Sequence, residues 1–571
     1  MFRPTDPQLS LMESRFLVSP KKRERLSRSW AEAFRRHVLP LIDEESFREC
    51  FSEDNGRPNK SIRLLVGMHL LKEADDLTVE QVLDAVEFNI QWQHALGVEP
   101  ADAHVCERTF YYFRDKLAEN ARSQGVFEKL TRALMEADGL SSIRQRLDST
   151  HVISNIKLLS RLGLFTETVT HFLRELRKEA PEKLAKLDGG YAKRYLDREG
   201  FFADAKREQA QRRMPLVVQD LYALVRAFDG DAVVKEWPSY GLLVRLLSEQ
   251  CKVVEATDDG ERSPVSLKEP EEIGGDSLQS PHDPDATYGH KGKGYEAQIA
   301  ETCVEENPYQ VITAVDVTAA NGSDQHATVP IVEDLAERGI APAVLLADTG
   351  YGSGENIVEC AHLGVQLLAR VQDPAAPERT DGWETPVEPA ASAPARAPEP
   401  KITVDASEPL PVSGLDAFAF NTTFDEVLRC PEGHTPVDHY ATDAAFYTYF
   451  PGYACRDCPM ATRCPTRTRV GTDERVLRWR DSKAATATRQ REQREPAFKN
   501  DYKLRSGIES TNAEIKGRHG AGDLRVRGGS RVGMAMHMKA AALNAKRAVQ
   551  HHTDVLRPAL DGLETTQLDA E

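Results

Sequence analysis

The order of apolar segments between residues 143 and 371 constrains the fold of this chain more than any other feature. A β-prone run, IRQRLDSTHVISNI, precedes a long helical stretch, and two strand-like runs, YEAQIAETCV and QVITAVDVTAA, follow it. Then come a helical pattern from about residue 326, the apolar strand AVLLAD, the helix IVECAHLG and the strand VQLLARV. This order predicts an α/β fold with a mixed sheet flanked by helices.

A chain of 571 residues exceeds the roughly 100–200 residues of one domain, so several folding units are expected. Changes in periodicity and composition predict the following parts: an N-terminal helical domain at 1–135, the first part of an α/β core at 136–370 with a helical insertion at 157–287, a disordered Pro/Ala-rich linker at 371–415, a cysteine-bearing insertion at 416–480, C-terminal helices of the core at 481–550 and a polar tail at 551–571.

The segment CERTFYYFRDKLAEN in the N-terminal part fits the second helix of a helix-turn-helix. A small helical bundle that serves dimerisation or docking explains the same pattern. Both interpretations stay open at this point.

The distribution of charge favours a polyanion partner in spite of the formal net charge of −17. From Arg463 to Arg547 there are 21 Lys and Arg against 9 Asp and Glu. A basic segment of this kind fits phosphate binding. A solvated pair of charged helices fits equally well.

Three acidic residues stand at the ends of predicted elements: Asp148 in LDSTH, Asp348 in LLADTGYGS, and Glu509 in a helix predicted to begin near Tyr502. An acid that closes a buried strand emerges at the rim of the sheet, where α/β folds place their sites. The alternative for Asp348 is a turn residue or helix cap.

A polar stripe is predicted in YKLRSGIESTNAEIK, where Tyr502, Arg505, Glu509 and Lys516 are separated by three, four and seven positions. In one continuous helix these spacings place all four side chains on one face. A solvated helix face with a surface ion pair is the alternative.

The cysteines between Cys430 and Cys464 resemble a metal site. Cys455 and Cys458 form a C-x-x-C pair, and Cys430 and Cys464 could complete a tetrahedral thiolate site for structural Zn²⁺, with His434 as a substitute ligand. Reduced thiols without metal and an iron–sulfur cluster are the alternatives.

The Tyr502, Arg505, Glu509 and Lys516 spacing resembles the Y-R-E-K signature of DDE-type bacterial insertion-sequence transposases. The text LDSTH, YGHKGKGYEAQIA, TAANGSDQHA and ADTGYGS and the N-terminal helices are similar to the same family, so the resemblance covers about residues 30 to 550. It implies a ribonuclease H-like catalytic domain in which Asp148, Asp348 and Glu509 hold two Mg²⁺ or Mn²⁺ ions per active site. The implied reaction is cleavage of insertion-sequence ends followed by strand transfer into target DNA.

The implied partner is double-stranded DNA, both terminal inverted repeats and target. Lys516 and Arg505 would contact phosphates, and Tyr502 would stack on a base or bond a phosphate. The other predicted DNA-binding residues are basic and lie in the glycine-containing segments HKGKGYE and GRHGAGDLRVRGGSR: Lys291, Lys293, Arg518, Arg525 and Arg527.

A homodimer or larger assembly on DNA is expected. No apolar window is long enough to cross a membrane and no secretory signal is visible, so we expect a bacterial cytoplasmic protein at the nucleoid. Two alternatives remain: a domesticated DNA-binding regulator without catalysis, and a ribonuclease H-like nuclease that cuts without joining.

Overall fold

The structure is a computed structural model that describes residues 2, 19–52, 58–156, 159–187, 190–196, 207–253, 264–372, 414–461, 464–469 and 471–568. Most of the predicted linker at 371–415 lies outside these residues.

Eighteen α-helices occur in the described residues: α1 (Pro20–Ser27), α2 (Trp30–His37), α3 (Ile62–Ala74), α4 (Val79–Phe88), α5 (Ile90–Leu96), α6 (Glu107–Ala118), α7 (Arg122–Asp138), α8 (Arg161–Glu179), α9 (Pro181–Lys186), α10 (Arg207–Phe228), α11 (Pro238–Gln250), α12 (Asp324–Glu337), α13 (Gly354–His362), α14 (Gly452–Arg456), α15 (Asp481–Glu492), α16 (Pro496–Tyr502), α17 (Ile508–Gly517) and α18 (Gly529–Leu568). In this part of the chain no helix is both apolar enough and long enough to traverse a bilayer.

Fourteen strands occur in the same residues: β1 (Arg144–Val152), β2 (Cys251–Val253), β3 (Val265–Leu267), β4 (Thr287–Gly289), β5 (Gly292–Thr302), β6 (Ile312–Ala319), β7 (Val344–Ala347), β8 (Gln366–Ala369), β9 (Ala419–Phe420), β10 (Val427–Arg429), β11 (Asp438–Thr442), β12 (Ala445–Phe450), β13 (Arg467–Thr468) and β14 (Arg475–Trp479). Strands β1, β5, β6, β7 and β8 confirm the five core strands that the apolar pattern predicts. The protein is a mixed α/β protein, as expected.

The chain divides into two compact units. Unit 1 comprises Met1–Ser142, Leu147–Ser323 and Gly507–Glu571, and unit 2 comprises Ile143–Arg146 and Asp324–Ser506. Strand β1 therefore begins in unit 2 and ends in unit 1.

The main core of unit 1 forms around helix α18, which contacts α2, α3 and α7 and strand β6. Residues 532–549 of α18 supply small and flexible buried side chains to a cluster that includes Phe34, Phe110 and Phe127. Alanines and methionines let neighbouring helices approach closely and fill irregular gaps. The last helix of the chain is thus part of the same hydrophobic core as the N-terminal helices.

A buried ion pair links two of these helices. The ammonium of Lys539 on α18 lies 2.6 Å from the carboxylate of Glu73 on α3, and Lys72 lies 2.6 Å from the same carboxylate. Lys539 is 3% exposed and Glu73 is 8% exposed. Burial alone would raise the pKa of Glu73, but the two ammonium groups outweigh it and lower that pKa to about 2.

The sheet of unit 1 is antiparallel around β5, which pairs with β4 and β6 and has the end of β1 as a further neighbour. The helical insertion predicted at 157–287 contains α8 to α11, which have a separate core. Its polar end also contains the short strand β3, where only a loop was expected.

In unit 2 strands β7 and β8 are parallel, and the carbonyl of Ile143 accepts hydrogen bonds from Ala343 and Val344 at 2.8 and 3.2 Å. The guanidinium of Arg489 on α15 is almost fully buried and donates to the carbonyls of Leu367 and Ala369 at 2.7 and 2.8 Å. A smaller antiparallel sheet, in the order β11, β12, β14, β13, forms the cysteine-bearing part.

Candidate active site

In unit 1, Asp148 is the central residue of β1, so the prediction that it stands at a strand end is wrong. Most residues of β1 alternate between buried and half-buried positions, although Ser149 and Thr150 are both buried. Leu147 is fully buried, whereas the side chain of Asp148 is half-buried. The side-chain amide of Asn512 on α17 donates to Oδ2 of Asp148 at 3.1 Å. Strand β1 and helix α17 are thus held together at the first predicted acid.

Glu509 and Lys516 flank Asn512 on the same helix at spacings of three and four residues, so the three side chains share one face of α17. Glu509 is exposed and Lys516 is half-buried. Burial and the nearby charge of Lys291 lower the pKa of Lys516, while Glu296 and Asp148 act in the opposite direction. The α17 face that carries Glu509 therefore adjoins the strand that carries Asp148.

A second group of polar side chains surrounds Lys291. Its ammonium donates to the hydroxyl of Ser149 at 3.0 Å and forms an ion pair with Glu296, whose side chain is only 10% exposed. His151 lies nearby, and burial lowers its pKa. The sequence motifs did not point to Ser149, His151, Glu296 or Asn512, although all four stand within or beside the motifs that contain Asp148, Lys291 and Glu509.

Gly294 allows β5 to approach β1 closely. Its φ of +142° is rarely adopted by L side chains, and a Cβ there would lie 2.4 Å from the carbonyl oxygen of Val152. The neighbouring Lys293 donates to the carbonyl of Leu159 at 2.7 Å, and burial lowers its pKa. Lys293 therefore has a structural contact, and its predicted contact with DNA stays a prediction.

In unit 2, Asp348 directly follows β7, at the strand end where it was predicted. Its Oδ1 accepts a hydrogen bond from the backbone of Gly350 at 2.7 Å, so Asp348 is also a turn residue. The side-chain amide of Asn356 donates to Gln325, Thr328 and Tyr351 at 2.8–2.9 Å. These bonds fix the loop between β7 and α13.

A second carboxylate borders the same loop. A Cβ at Gly350 would lie 3.0 Å from Oδ1 of Asp348 and 3.4 Å from Oδ2 of Asp324. Asp324, in the TAANGSDQHA motif, was not selected from the sequence.

The prediction that Tyr502, Arg505, Glu509 and Lys516 share one continuous helix is wrong. Tyr502 ends α16, Arg505 lies in a 3₁₀ segment at Lys503–Gly507, and α17 begins at Ile508. The α-helical pattern stops after Tyr502, and Gly507, a residue of low helix propensity, ends the 3₁₀ segment. The four residues keep their spacing in sequence but are not one helical stripe.

Within unit 2 Tyr502 forms an aromatic and cationic cluster. Its ring stacks on Phe498 at 5.5 Å between centroids, and the guanidinium groups of Arg370 and Arg505 lie 4.8 and 6.0 Å from the ring centroid of Tyr502. A planar guanidinium beside an aromatic ring is a common arrangement for stacking on bases and binding phosphate.

The basic segment after α17 is anchored to other parts of unit 1. Arg525 forms an ion pair with Asp76 at 2.8 Å, and Arg527 donates to the carbonyl of Asn155. Arg518 is exposed. The contacts of Arg525 and Arg527 order this segment, and their predicted role in DNA binding stays a prediction.

The cysteine segment brings its thiols near one another. Burial raises the pKa of Cys455, and the thiols of Cys464, Cys430 and Cys458 add to that effect. However, the described residues contain no group of three or more His, Cys, Asp or Glu side chains arranged to hold a metal ion. The described geometry thus does not support the predicted zinc site.

The described residues likewise contain no such group of metal ligands at the predicted Mg²⁺ site. Of its three predicted ligands, Asp148 and Glu509 belong to unit 1 and Asp348 belongs to unit 2. The donor chemistry does fit, because carboxylate and amide oxygens are the ligands that Mg²⁺ prefers. In addition, the amide oxygen of Asn512, beside Asp148, is buried and accepts no hydrogen bond from any described residue.

Comparison with known families gives two matches. Residues 429–549 match the model described as "Transposase DDE domain", and residues 23–116 match a "Transposase domain (DUF772)". The two matches support a DDE-type DNA transposase. The first includes Glu509 but neither Asp148 nor Asp348. No curated protein and no solved structure matches the chain.

Proposed function

We propose that this protein is a DNA transposase that cleaves the ends of a bacterial insertion sequence and joins them to target DNA. The observation that carries the proposal is the contact between α17 and Asp148 in unit 1. Helix α17 lies in the segment that matches a transposase DDE domain. The fold proposed for the catalytic part is ribonuclease H-like, because one acid lies within β1, one directly follows β7 and one lies on a later helix.

The proposed metal ligands are Asp148, Asp348 and Glu509, and the proposed ions are two Mg²⁺ or Mn²⁺. When bound, such ions lower the pKa of an attacking hydroxyl and stabilise charge on the leaving oxygen. Asp148 is supported as a ligand by its strand, which fixes the backbone, and by Asn512, which holds Oδ2. Asp348 is supported by its hydrogen bond to Gly350, which fixes the carboxylate at the end of β7.

The cations beside these acids bind and orient DNA phosphates in this proposal. Lys516 and Lys291 lie near Asp148 in unit 1, so they can hold a phosphate next to the reacting bond and offset its charge. In unit 2 Arg505 offers a two-point contact to phosphate, and Tyr502 offers a ring for stacking. The exposed Arg518 is a further phosphate contact.

The proposed partners are the terminal inverted repeats and the target DNA, bound by a dimer or larger assembly at the nucleoid. Joining two ends requires two active sites in one complex, which is the reason for expecting more than one copy of the chain.

The test uses the full chain, Mg²⁺ or Mn²⁺, and a duplex that carries the DNA flanking the coding sequence on both sides. We expect end cleavage and joining to a target plasmid in the wild type, and loss of both in Asp148→Ala, Asp348→Ala and Glu509→Ala. Removing one metal ligand should reduce the rate by about 10²-fold or more, since ligand loss disturbs charge stabilisation at the reacting bond.

Two acids elsewhere provide matched controls. Glu359 is exposed on α13, and Glu514 lies on a different side of α17, 3.8 Å from Arg547. Glu359→Ala and Glu514→Ala should cleave as the wild type does. Cleavage without joining would identify a nuclease, and DNA binding without cleavage in the wild type would identify a regulator. Full activity of Asp348→Ala would contradict the assignment of the site.

A further inference from the structure

The side chain of Asn512 is not accounted for by helix packing alone. It is 9% exposed, its amide nitrogen donates to Asp148 at 3.1 Å, and its amide oxygen is buried without a donor among the described residues. Buried polar atoms nearly always have a partner, and an unsatisfied acceptor destabilises the folded protein. Such an atom beside the first predicted acid therefore needs an explanation.

The orientation of the amide is fixed by chemistry. A carboxylate only accepts hydrogen bonds, so Asn512 must turn its nitrogen, and not its oxygen, toward Oδ2 of Asp148. The amide oxygen is bonded to the same carbon as that nitrogen, so a cation held by the Asp148 carboxylate is within reach of it. A positive charge or a donor in contact with the amide oxygen would stabilise this buried acceptor.

The nearby cations do not fill this role in the described structure. Lys516, four residues later on the same face, senses the charge of Asp148 but forms no hydrogen bond with the Asn512 oxygen. Lys291 donates to Ser149 and pairs with Glu296. Glu509, one turn before Asn512, adds an exposed carboxylate to the same helix face.

We propose that Asn512 holds Asp148 in position and supplies a neutral oxygen ligand to the divalent cation that Asp148 and Glu509 bind. The inference rests on the proposed function, because it assumes a cation at these acids. Amide oxygens are ordinary ligands of hard divalent cations. A neutral ligand also adds no repulsion between carboxylates, unlike a further acid at the same place.

The test measures Mn²⁺ binding to the full chain without DNA, by calorimetry or by the loss of the free Mn²⁺ resonance signal. Asn512→Leu has nearly the same shape but no polar atoms, and it should weaken Mn²⁺ binding by about 10-fold or more, as removal of residues that orient ligands does. Asn512→Asp keeps an oxygen ligand, so it should bind Mn²⁺ with an affinity at or above that of the wild type. Asn500→Ala, an exposed asparagine on α16, is the matched control and should not change the affinity.

The two Asn512 variants separate ligation from folding. Both should remain folded in thermal unfolding, with Asn512→Asp melting below the wild type because its carboxylate adjoins that of Asp148. A purely structural role predicts the same loss of Mn²⁺ binding for both. Wild-type Mn²⁺ affinity in Asn512→Leu, or equal losses in the two variants, would overturn the inference. If Asp148→Ala also binds Mn²⁺ as the wild type does, the proposed metal site itself fails; if only Asn512→Leu is normal, the metal site stands and the role of Asn512 falls.

Discussion

Replacing Lys539 by Met should destabilise unit 1, because the buried carboxylate of Glu73 would lose one of its two cationic partners. Lys539 neutralises the carboxylate of Glu73 and also donates to the carbonyl of His519. Methionine fills a similar volume but leaves that carboxylate with Lys72 as its remaining close cation. The two helices joined by the pair lie in the two segments that match transposase families, so the variant tests whether these segments share a core.

The size of the effect follows from the pKa of Glu73. Lowering that pKa from 4.5 to about 2 corresponds to about 3 kcal/mol for Lys539 and Lys72 together, net of the opposing effect of burial, at roughly 1.4 kcal/mol per pKa unit. Loss of one partner of a buried ion pair generally costs about 3–5 kcal/mol. We therefore expect Lys539→Met to lower the free energy of unfolding by about 3 kcal/mol.

The effect should depend on pH in a defined direction. Because the folded pKa of Glu73 lies below its ordinary value, the pair stabilises the protein fully above about pH 4.5, and this contribution disappears as the pH falls toward 2. The difference between the wild type and Lys539→Met should thus be largest near neutral pH and should shrink below pH 4.5.

Urea unfolding followed by tryptophan fluorescence measures this effect, since Trp92 is buried in unit 1. Glu73→Gln combined with Lys539→Met should recover much of the loss, because no buried charge is left unpaired. Lys129→Met removes an exposed ion pair with Asp43, 2.7 Å long, and should cost less than about 1 kcal/mol. A loss in Lys539→Met no larger than that of Lys129→Met would refute the reasoning.

Three further predictions concern other parts of the chain. Arg489→Met should destabilise unit 2 by about 2 kcal/mol, because two carbonyls of β8 lose their hydrogen-bond donor. Arg489→Lys should not restore stability, since lysine lacks the planar guanidinium group with its several N–H donors. Thermal unfolding measures both variants. Gly294→Ala should cost about 2 kcal/mol or more in the same assay, whereas Gly241→Ala, in a helix with open space around it, should be neutral or stabilising. Metal analysis tests the zinc prediction: a content lower by about one zinc per chain in Cys458→Ser would support it, and equal contents would remove it.

The sequence predicts the strands of the core well because the burial of a strand determines which of its residues are apolar, and this pattern is visible in the local sequence. The residues AVLLA are all apolar because β7 is covered by other elements, and Asp348 follows them at the rim of the sheet. The strand that contains Asp148 is recognisable because buried and half-buried residues mostly alternate along β1, but this pattern did not show that the strand continues past Asp148 to Val152.

The partners of these acids are harder to predict because they depend on long-range packing. Asn512 contacts a residue 364 positions earlier in the chain, and no local pattern marks it. The helix containing Tyr502 was predicted too long because residue spacing alone does not show that α16 ends at Tyr502 and that a 3₁₀ segment follows it. Helix α18 was predicted as part of the α/β core, and it contacts strand β6, but its packing against α2, α3 and α7 was not predicted. Periodicity identifies an apolar face but not the surface that covers it.

The position of α18 has a consequence for synthesis of the protein on the ribosome. The N-terminal helices are made first, but the segment that fills their core, 532–549, is made only after almost all of the chain. Until then their apolar faces have no partner from α18, and exposed apolar faces of this kind favour aggregation. A messenger cut short before Gly529 would therefore yield polypeptides that quality-control proteases remove, rather than a folded fragment that competes for DNA.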